Sequence, residues 1–336
     1  MDPLTPRPSD TWLRVEDSSA IGAARRAASQ LAAARGFDEE HVGQVAVAVS
    51  EAASNLVKHA ADGQMLIRPH PRAETSIEVM AIDRGPGMAD TLASIRDGYS
   101  TTGTLGIGLG AITRLSDAYD LHSLPGKGTV LSMHFTMRGA EPPDGGACGL
   151  TRPVGEEVIS GDAYAFHESA GVITAIVCDG LGHGVQAAAA SQEAVRVFAA
   201  APPEPPGRLV ERVHRSLGQT RGGAVAVARV DRAAGRVTYA GVGNISGWIA
   251  GFDGRQGLVS VPGIAGHNAR RIREFDYELP PHGVVVMHSD GLTERWDLTG
   301  YPRLLRHGAH VIAGTLLRDW AIRRDDACVL VVRATP

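Results

Sequence analysis

Apolar residues recur at three- and four-residue steps through Val42, Val45, Val49, Ala52 and Leu56, the spacing that lines one face of an α-helix. Asp38 stands where a cap belongs, with Glu39, Glu40 and His41 in the first turn behind it. Upstream, Ser18 or Ser19 can cap an alanine-rich helix that runs to about Arg35 and is ended by Gly36. Runs at 64–68, 75–82, 120–123 and 129–136 read as strands, and a glycine series leads into a helix over 111–116. The second half is richer in strands, with apolar runs at 172–178, 224–230, 237–240, 284–288 and 328–332 that a buried sheet explains.

The stretch from Arg138 through Pro142, Pro143 and Asp144 to Ala147 has no hydrophobic period and is dominated by glycine, proline and acids. It predicts a linker over 139–149 between a domain at 1–138 and another at 150–336. A second proline cluster at 202–206 lies between two helical stretches and reads as a surface loop. At 336 residues the chain is long enough for two domains, and 43% hydrophobic with 21% charged residues fits a globular protein. A formal charge of -4 without a basic block leaves no electrostatic footprint for nucleic acid or anionic lipid. The three cysteines, Cys148, Cys178 and Cys328, are too widely spaced for a CxxC metal site and odd in number for a disulfide framework. The first residues lack a basic-then-apolar leader, and no apolar run approaches the ~20 residues a membrane helix needs, so a cytoplasmic protein is expected.

On the second helix Glu51 and Asn55 are four residues apart, with Lys58 near the same face. Alone, this also fits a solvated face with an attraction between Glu51 and Lys58. Two further segments change the picture. Asp83-Arg84-Gly85-Pro86-Gly87 takes a carboxylate out of a strand into a glycine turn. Gly103-Thr104-Leu105-Gly106-Ile107-Gly108-Leu109-Gly110 then opens a helix, where backbone N–H groups can meet phosphates.

In this ordered triple the chain resembles the GHKL ATPase superfamily, which has the Bergerat α/β sandwich, and within it the RsbT-type serine kinases and anti-sigma ATPases. The likeness spans about residues 10–137, through EAASNLVKHA, DRGPGM and GTLGIGLGAITRL. It implies ATP with Mg²⁺ held by Asn55, the adenine amino group bonded to Asp83, and Gly85, Gly87, Gly106, Gly108 and Gly110 shaping the pocket and binding phosphates. Glu51 would be the general base for the attacking hydroxyl. Lys58 and Arg84 are the nearby basic candidates for the γ-phosphate.

In the second half Asp162 follows Ser160-Gly161, Asp179 ends one apolar run, Asp290 ends another, and Asp325-Asp326 precede a third. Any one Asp-Gly pair reads as a turn. Four acids beside buried strands call for a different account, because hard cations relieve their repulsion. The order EVISGDAYAF, IVCDGLGHGVQAAAAS, GVGNISGWI, VVVMHSDGLTERW and RRDDACVLVV resembles the metal-dependent PPM serine phosphatases of the SpoIIE and RsbX type. This likeness implies a β-sandwich flanked by helices. Two Mn²⁺ or Mg²⁺ ions would be bridged by Asp179, one completed by Asp162 and the carbonyl of Gly180, the other by Asp290 and Asp326. His183 is either a proton donor or a loop-fixing hydrogen bonder, Asn244 reads as a turn residue, and Trp248 and Trp296 read as core or partner surface.

Both resemblances together imply a bifunctional regulator of a bacterial partner-switching or stressosome pathway. It would be a protein serine kinase and a phosphoserine phosphatase acting on STAS-domain proteins, with a sigma factor or other effector downstream. The competing reading makes the first half an ATP-binding module that sequesters a sigma factor or effector, fused to a phosphatase.

Overall fold

In the computed structural model, described over residues 10–335 apart from Arg72, 96–107, Pro143, Glu156, Arg270 and Arg323, the first long helices start at acidic caps. Asp17, one residue ahead of the expected serines, accepts from the backbone of Ser19 and opens α1 (Ser18–Ala34). Asp38 accepts from the His41 backbone at 2.8 Å and opens α2 (Glu39–His59), whose first turn carries Glu39 and Glu40 and whose last carries Lys58 and His59. Five strands, β1 (Thr11–Arg14), β2 (Gln64–Pro69), β3 (Ser76–Ile82), β4 (Ala118–Leu124) and β5 (Gly128–Thr136), pair antiparallel in the order β1-β2-β3-β5-β4. Between β3 and β4 the chain forms α3 (Thr91–Ile95) and α4 (Gly108–Leu115).

One face of this sheet carries Met65, Ile67, Ile77, Val79, Met133 and Phe135 against the apolar stripe of α2 and against Ile112 of α4. The other face is buried too, and mixes apolar Leu66, Met80 and Val130 with charged and polar residues. Arg68 and Glu78 are paired across β2 and β3, their side chains 2.6 Å apart, and His70 reaches the same carboxylate at 3.2 Å. A carboxylate with no exposed surface holds its charge only with such partners.

The chain divides into two compact units at Asp144 and Gly145. The second unit contains β6 (Ala147–Arg152), β7 (Asp162–Ser169), β8 (Val172–Gly180), α5 (Val185–Ala200), α6 (Pro206–Ser216) and β9 (Gly223–Asp231). It continues through β10 (Arg236–Val242), β11 (Ser246–Gly251), β12 (Gly254–Leu258), β13 (Phe275–Glu278), β14 (Val284–His288), α7 (Ala309–Trp320) and β15 (Ala327–Arg333). Two five-stranded sheets result, β13-β10-β9-β8-β7 and β12-β11-β14-β15-β6. Their inner faces share one core, in which Ile173, Ala175, Val177, Tyr239, Val285, Met287 and Leu330 meet. Helices α5 and α6 cover the outside of the first sheet through Ala190, Ala194, Phe198, Val210 and Val213, and α7 packs on β15 and β6.

β6 begins inside the stretch expected as a linker. Ala147, Cys148 and Leu150 are buried, and the strand pairs along β15, so residues 147–149 belong to the edge of a sheet. An alternation that short, set among glycines, is invisible until its partner strand is known.

Candidate active sites in the two halves

In the first unit α2 presents Glu51 and Asn55 one turn apart, and α4 begins against them. A methyl group on Gly108 would stand 3.0 Å from Glu51 Oε2 and 3.5 Å from Asn55 Oδ1, so the start of α4 closes on both polar side chains. Asp83 leaves β3 almost buried and accepts from the Gly85 backbone N–H at 2.6 Å, while its own backbone pairs with Thr129. Gly85 sits against the carbonyl of His59 at the end of α2. Gly87 has φ +67°, and any side chain there would run into the Leu124 carbonyl, so only glycine makes this turn. Gly110 is buried within α4. Gly103 and Gly106 lie outside the described residues. Arg84 bonds its backbone to Ala61 and lies 3.9 Å from Asp62. A polar pair under a glycine-led helix start, beside a carboxylate-bearing turn, suits a nucleotide with a divalent cation.

In the second unit the register of β7 and β8 sets Asp162 directly opposite Asp179, which places both side chains on one face of the sheet. Burial, then the charges of Asp290 and Asp325, pushes Asp179 up to about 7. Asp162 is raised well above the usual carboxylate range by burial and by Asp179, against the opposing hydrogen bond from Ser289. Asp290 is raised by burial and by Asp325. Three carboxylates that resist ionising together form a hard-oxygen donor set of the kind Mg²⁺ and Mn²⁺ take.

Asp326 does something else. Its Oδ1 accepts from the Val154 backbone and its Oδ2 from the Gly161 backbone, both at 2.8 Å, and its side chain is buried. Both oxygens are therefore engaged in holding the loop ahead of Asp162. Asp325 is the neighbour whose charge acts on Asp179 and Asp290. Asp326, the expected ligand, also raises Asp162 by its charge.

Two positions the sequence did not single out as functional also shape the cluster. Ser289 donates to Asp162 at 2.6 Å and accepts from the Cys328 backbone at 2.9 Å. Asn244, expected only to turn the chain, donates to Asp290 Oδ2 at 2.8 Å. Asparagine between two short strands was the available signal; its distance from Asp290 in sequence hid it. His183 is exposed and pairs with Glu157 at 3.0 Å. Trp248 and Trp296 stack edge to face 5.9 Å apart with Arg255 over both, a packed cluster on the second sheet. In the first unit, ligand atoms of His70, Glu78 and His134 lie within 4.8 Å of one another, but Arg68 already neutralises that carboxylate.

The folds and sites define a nucleotide-binding kinase class followed by a metal-dependent phosphatase class. Residues 15–135 match the family described as Histidine kinase-like ATPase domain, and residues 169–335 match Stage II sporulation protein E (SpoIIE). The chain is 36% identical over 112 residues to the serine/threonine-protein kinase RsbT of Bacillus subtilis (strain 168), covering 33% of this chain and 84% of that protein. It belongs to the RsbT family, with an RsbT-like kinase domain fused to a SpoIIE-type phosphatase domain. A solved structure described as "The bacterial stressosome: a modular system that has been adapted to control secondary messenger signaling" is 30% identical, with a TM-score of 0.51 over 56% of this chain and 98% of that one. A structure of RsbX in complex with magnesium is 16% identical, with a TM-score of 0.47 over 56% of this chain and 94% of that one. Among the described residues, no helix is long and apolar enough to cross a membrane.

Proposed function

We propose that the first half transfers the γ-phosphoryl group of ATP to a serine of a STAS-domain protein, and that the second half hydrolyses phosphoserine on such proteins. The chain would thereby set both directions of a cytoplasmic partner-switching pathway whose output is a sigma factor or another effector. The observation that carries this reading is that both constellations, Glu51–Asn55–Gly108 and Asp162–Asp179–Asp290–Asp325, occur in one chain.

In the kinase half Glu51 takes the serine proton as the serine oxygen bonds to the γ-phosphorus, and the bond to the bridging oxygen breaks to release ADP. Asn55 would hold Mg²⁺, Asp83 would accept from the adenine amino group, and Gly85, Gly87, Gly106, Gly108 and Gly110 would let the backbone approach the nucleotide. In the phosphatase half Asp162, Asp179, Asp290 and Asp325, with the Gly180 carbonyl, would hold two divalent cations. When bound, the ions supply Lewis acidity to a water and to the phosphate oxygens. Ser289 and Asn244 hold Asp162 and Asp290 in place, and Asp326 fixes the loop that carries Gly161.

Radiolabelled ATP with candidate STAS proteins tests the assignment, comparing wild type with Asn55→Ala and Asp179→Ala. Asn55→Ala is expected to transfer no label, and Asp179→Ala to leave label on the substrate that wild type removes. Label transferred by Asn55→Ala overturns the kinase half. A sigma factor or effector that co-purifies, with no phosphotransfer to any STAS protein, favours the sequestering module.

A further inference from the structure

Arg221 stands beside the acid cluster without joining it. The register of β8 and β9 pairs Gly180 with Gly223, so the chain enters β9 at the sheet end where Asp179 leaves β8. Two residues ahead of Gly223, the Arg221 backbone is pinned. Its carbonyl meets His267 Nε2 at 3.0 Å, the next residue's N–H bonds Thr220 Oγ1 at 3.0 Å, and the Gly222 carbonyl accepts from Leu181 at 3.0 Å. Gly222 has φ +75°, and a side chain there would meet the Ala265 carbonyl, so the turn that presents Arg221 depends on this glycine.

From that turn the guanidinium reaches back over the loop after Asp179; a methyl on Gly182 would stand 3.3 Å from Arg221 Nη1. The side chain is exposed and makes no ion pair with the described residues. The leading influences on Asp162, Asp179 and Asp290 are burial, other carboxylates and hydrogen bonds, with no arginine among them. The planar fork is therefore not used in neutralising the acids. A phosphoserine brings three oxygens and a charge near −2, more than groups on the cation side alone can face. Arginine matches two of those oxygens at once.

We infer that Arg221 binds the phosphate of the substrate at the rim of the phosphatase site, on oxygens turned away from the carboxylates. This rests on the phosphatase reading above. The full-length protein with Mn²⁺ tests it, using p-nitrophenyl phosphate as substrate and inorganic phosphate as product inhibitor. Arg221→Ala should raise KM and the inhibition constant of phosphate about tenfold or more, with kcat changed less than about threefold. The half-saturating Mn²⁺ concentration, read also by calorimetry, should stay unchanged. Arg221→Lys should recover part of the loss, since it keeps the charge and loses the fork. Unchanged KM and phosphate inhibition in Arg221→Ala overturn the assignment, as does a loss of Mn²⁺ affinity in step with KM, which would mark a loop-positioning role. A wild-type protein that binds Mn²⁺ but hydrolyses no phosphoester overturns the phosphatase reading and this inference with it.

Discussion

Asp179 carries the sharpest electrostatic consequence at the residue scale. Its carboxyl in the folded chain is pushed up to about 7 from 3.8, first by burial and then by Asp290 and Asp325. In that window the folded state holds a proton that the unfolded state has released, so stability without metal falls as pH rises from about 4 to about 7. The ceiling on this term is roughly 4 kcal/mol. The metal-free thermal midpoint of the second unit should therefore fall between pH 5 and 8. Mn²⁺ should raise it more at pH 8 than at pH 5, and Asp179→Asn should flatten the metal-free slope and abolish the Mn²⁺ gain. A metal-free midpoint that does not change over this range contradicts the electrostatic account. Asp325 and Asp326 offer a second residue-scale contrast. Asp325→Asn should weaken Mn²⁺ binding more than about tenfold in calorimetric titrations with no loss in the metal-free midpoint, since it removes a charge that acts on Asp179 and Asp290. Asp326→Ala removes two charge-assisted bonds to Val154 and Gly161 and should cost about 3 kcal/mol in denaturant unfolding. If the two substitutions exchange these effects, Asp326 is the ligand after all.

Secondary elements show which physical signals reach the sequence and which do not. Helix α2 was legible because its cap, its acidic first turn and its apolar stripe agree with one another. Strand β3 read as a continuous run, although it is antiparallel, because both its faces are buried: Ile77, Val79 and Ala81 in the apolar core, and Met80 and Ile82 beside the paired Glu78 on the other. The charged pair could not be foreseen, since Arg68 and Glu78 find each other only through the β2–β3 register. The same holds for the acid cluster of the second unit. Each Asp-Gly was visible singly, but what distinguishes Asp325 from Asp326 is the partners each meets in the fold, and no periodicity in so short a stretch fixes that. Ser289 and Asn244 act on partners more than forty residues away in sequence, Asp162 and Asp290. The buried pair makes a direct prediction for its element. Arg68→Ala leaves Glu78 charged and buried, and should cost about 3–5 kcal/mol in equilibrium unfolding of the first unit. Arg68→Met with Glu78→Leu should recover most of that, because an apolar pair needs no compensation. A double variant as unstable as the single one would show that packing, not charge, governs this face.

At the scale of the whole molecule, two activities that undo each other share one chain, so their stoichiometry is fixed at one to one. Acting on the same serine, they would turn ATP over without changing the substrate, which is useful only if something biases one half. Either the two sites address different serines, or a partner silences one of them. The distinction is measurable in steady state. With a single STAS substrate, Mg²⁺ and Mn²⁺ present, a shared serine predicts continued ADP release far beyond one equivalent of substrate and a low standing level of phosphoprotein. Asp179→Ala should then stop ADP release near one equivalent and carry the phosphoprotein level close to completion, while Asn55→Ala should release no ADP through substrate phosphorylation. Separate serines predict that wild type itself stops near one equivalent, with label retained at one mapped site and phosphate removed only from a second, independently phosphorylated one. Because each substitution touches one set of residues and leaves the other intact, the two outcomes separate a futile cycle from a two-serine switch without any knowledge of the input signal.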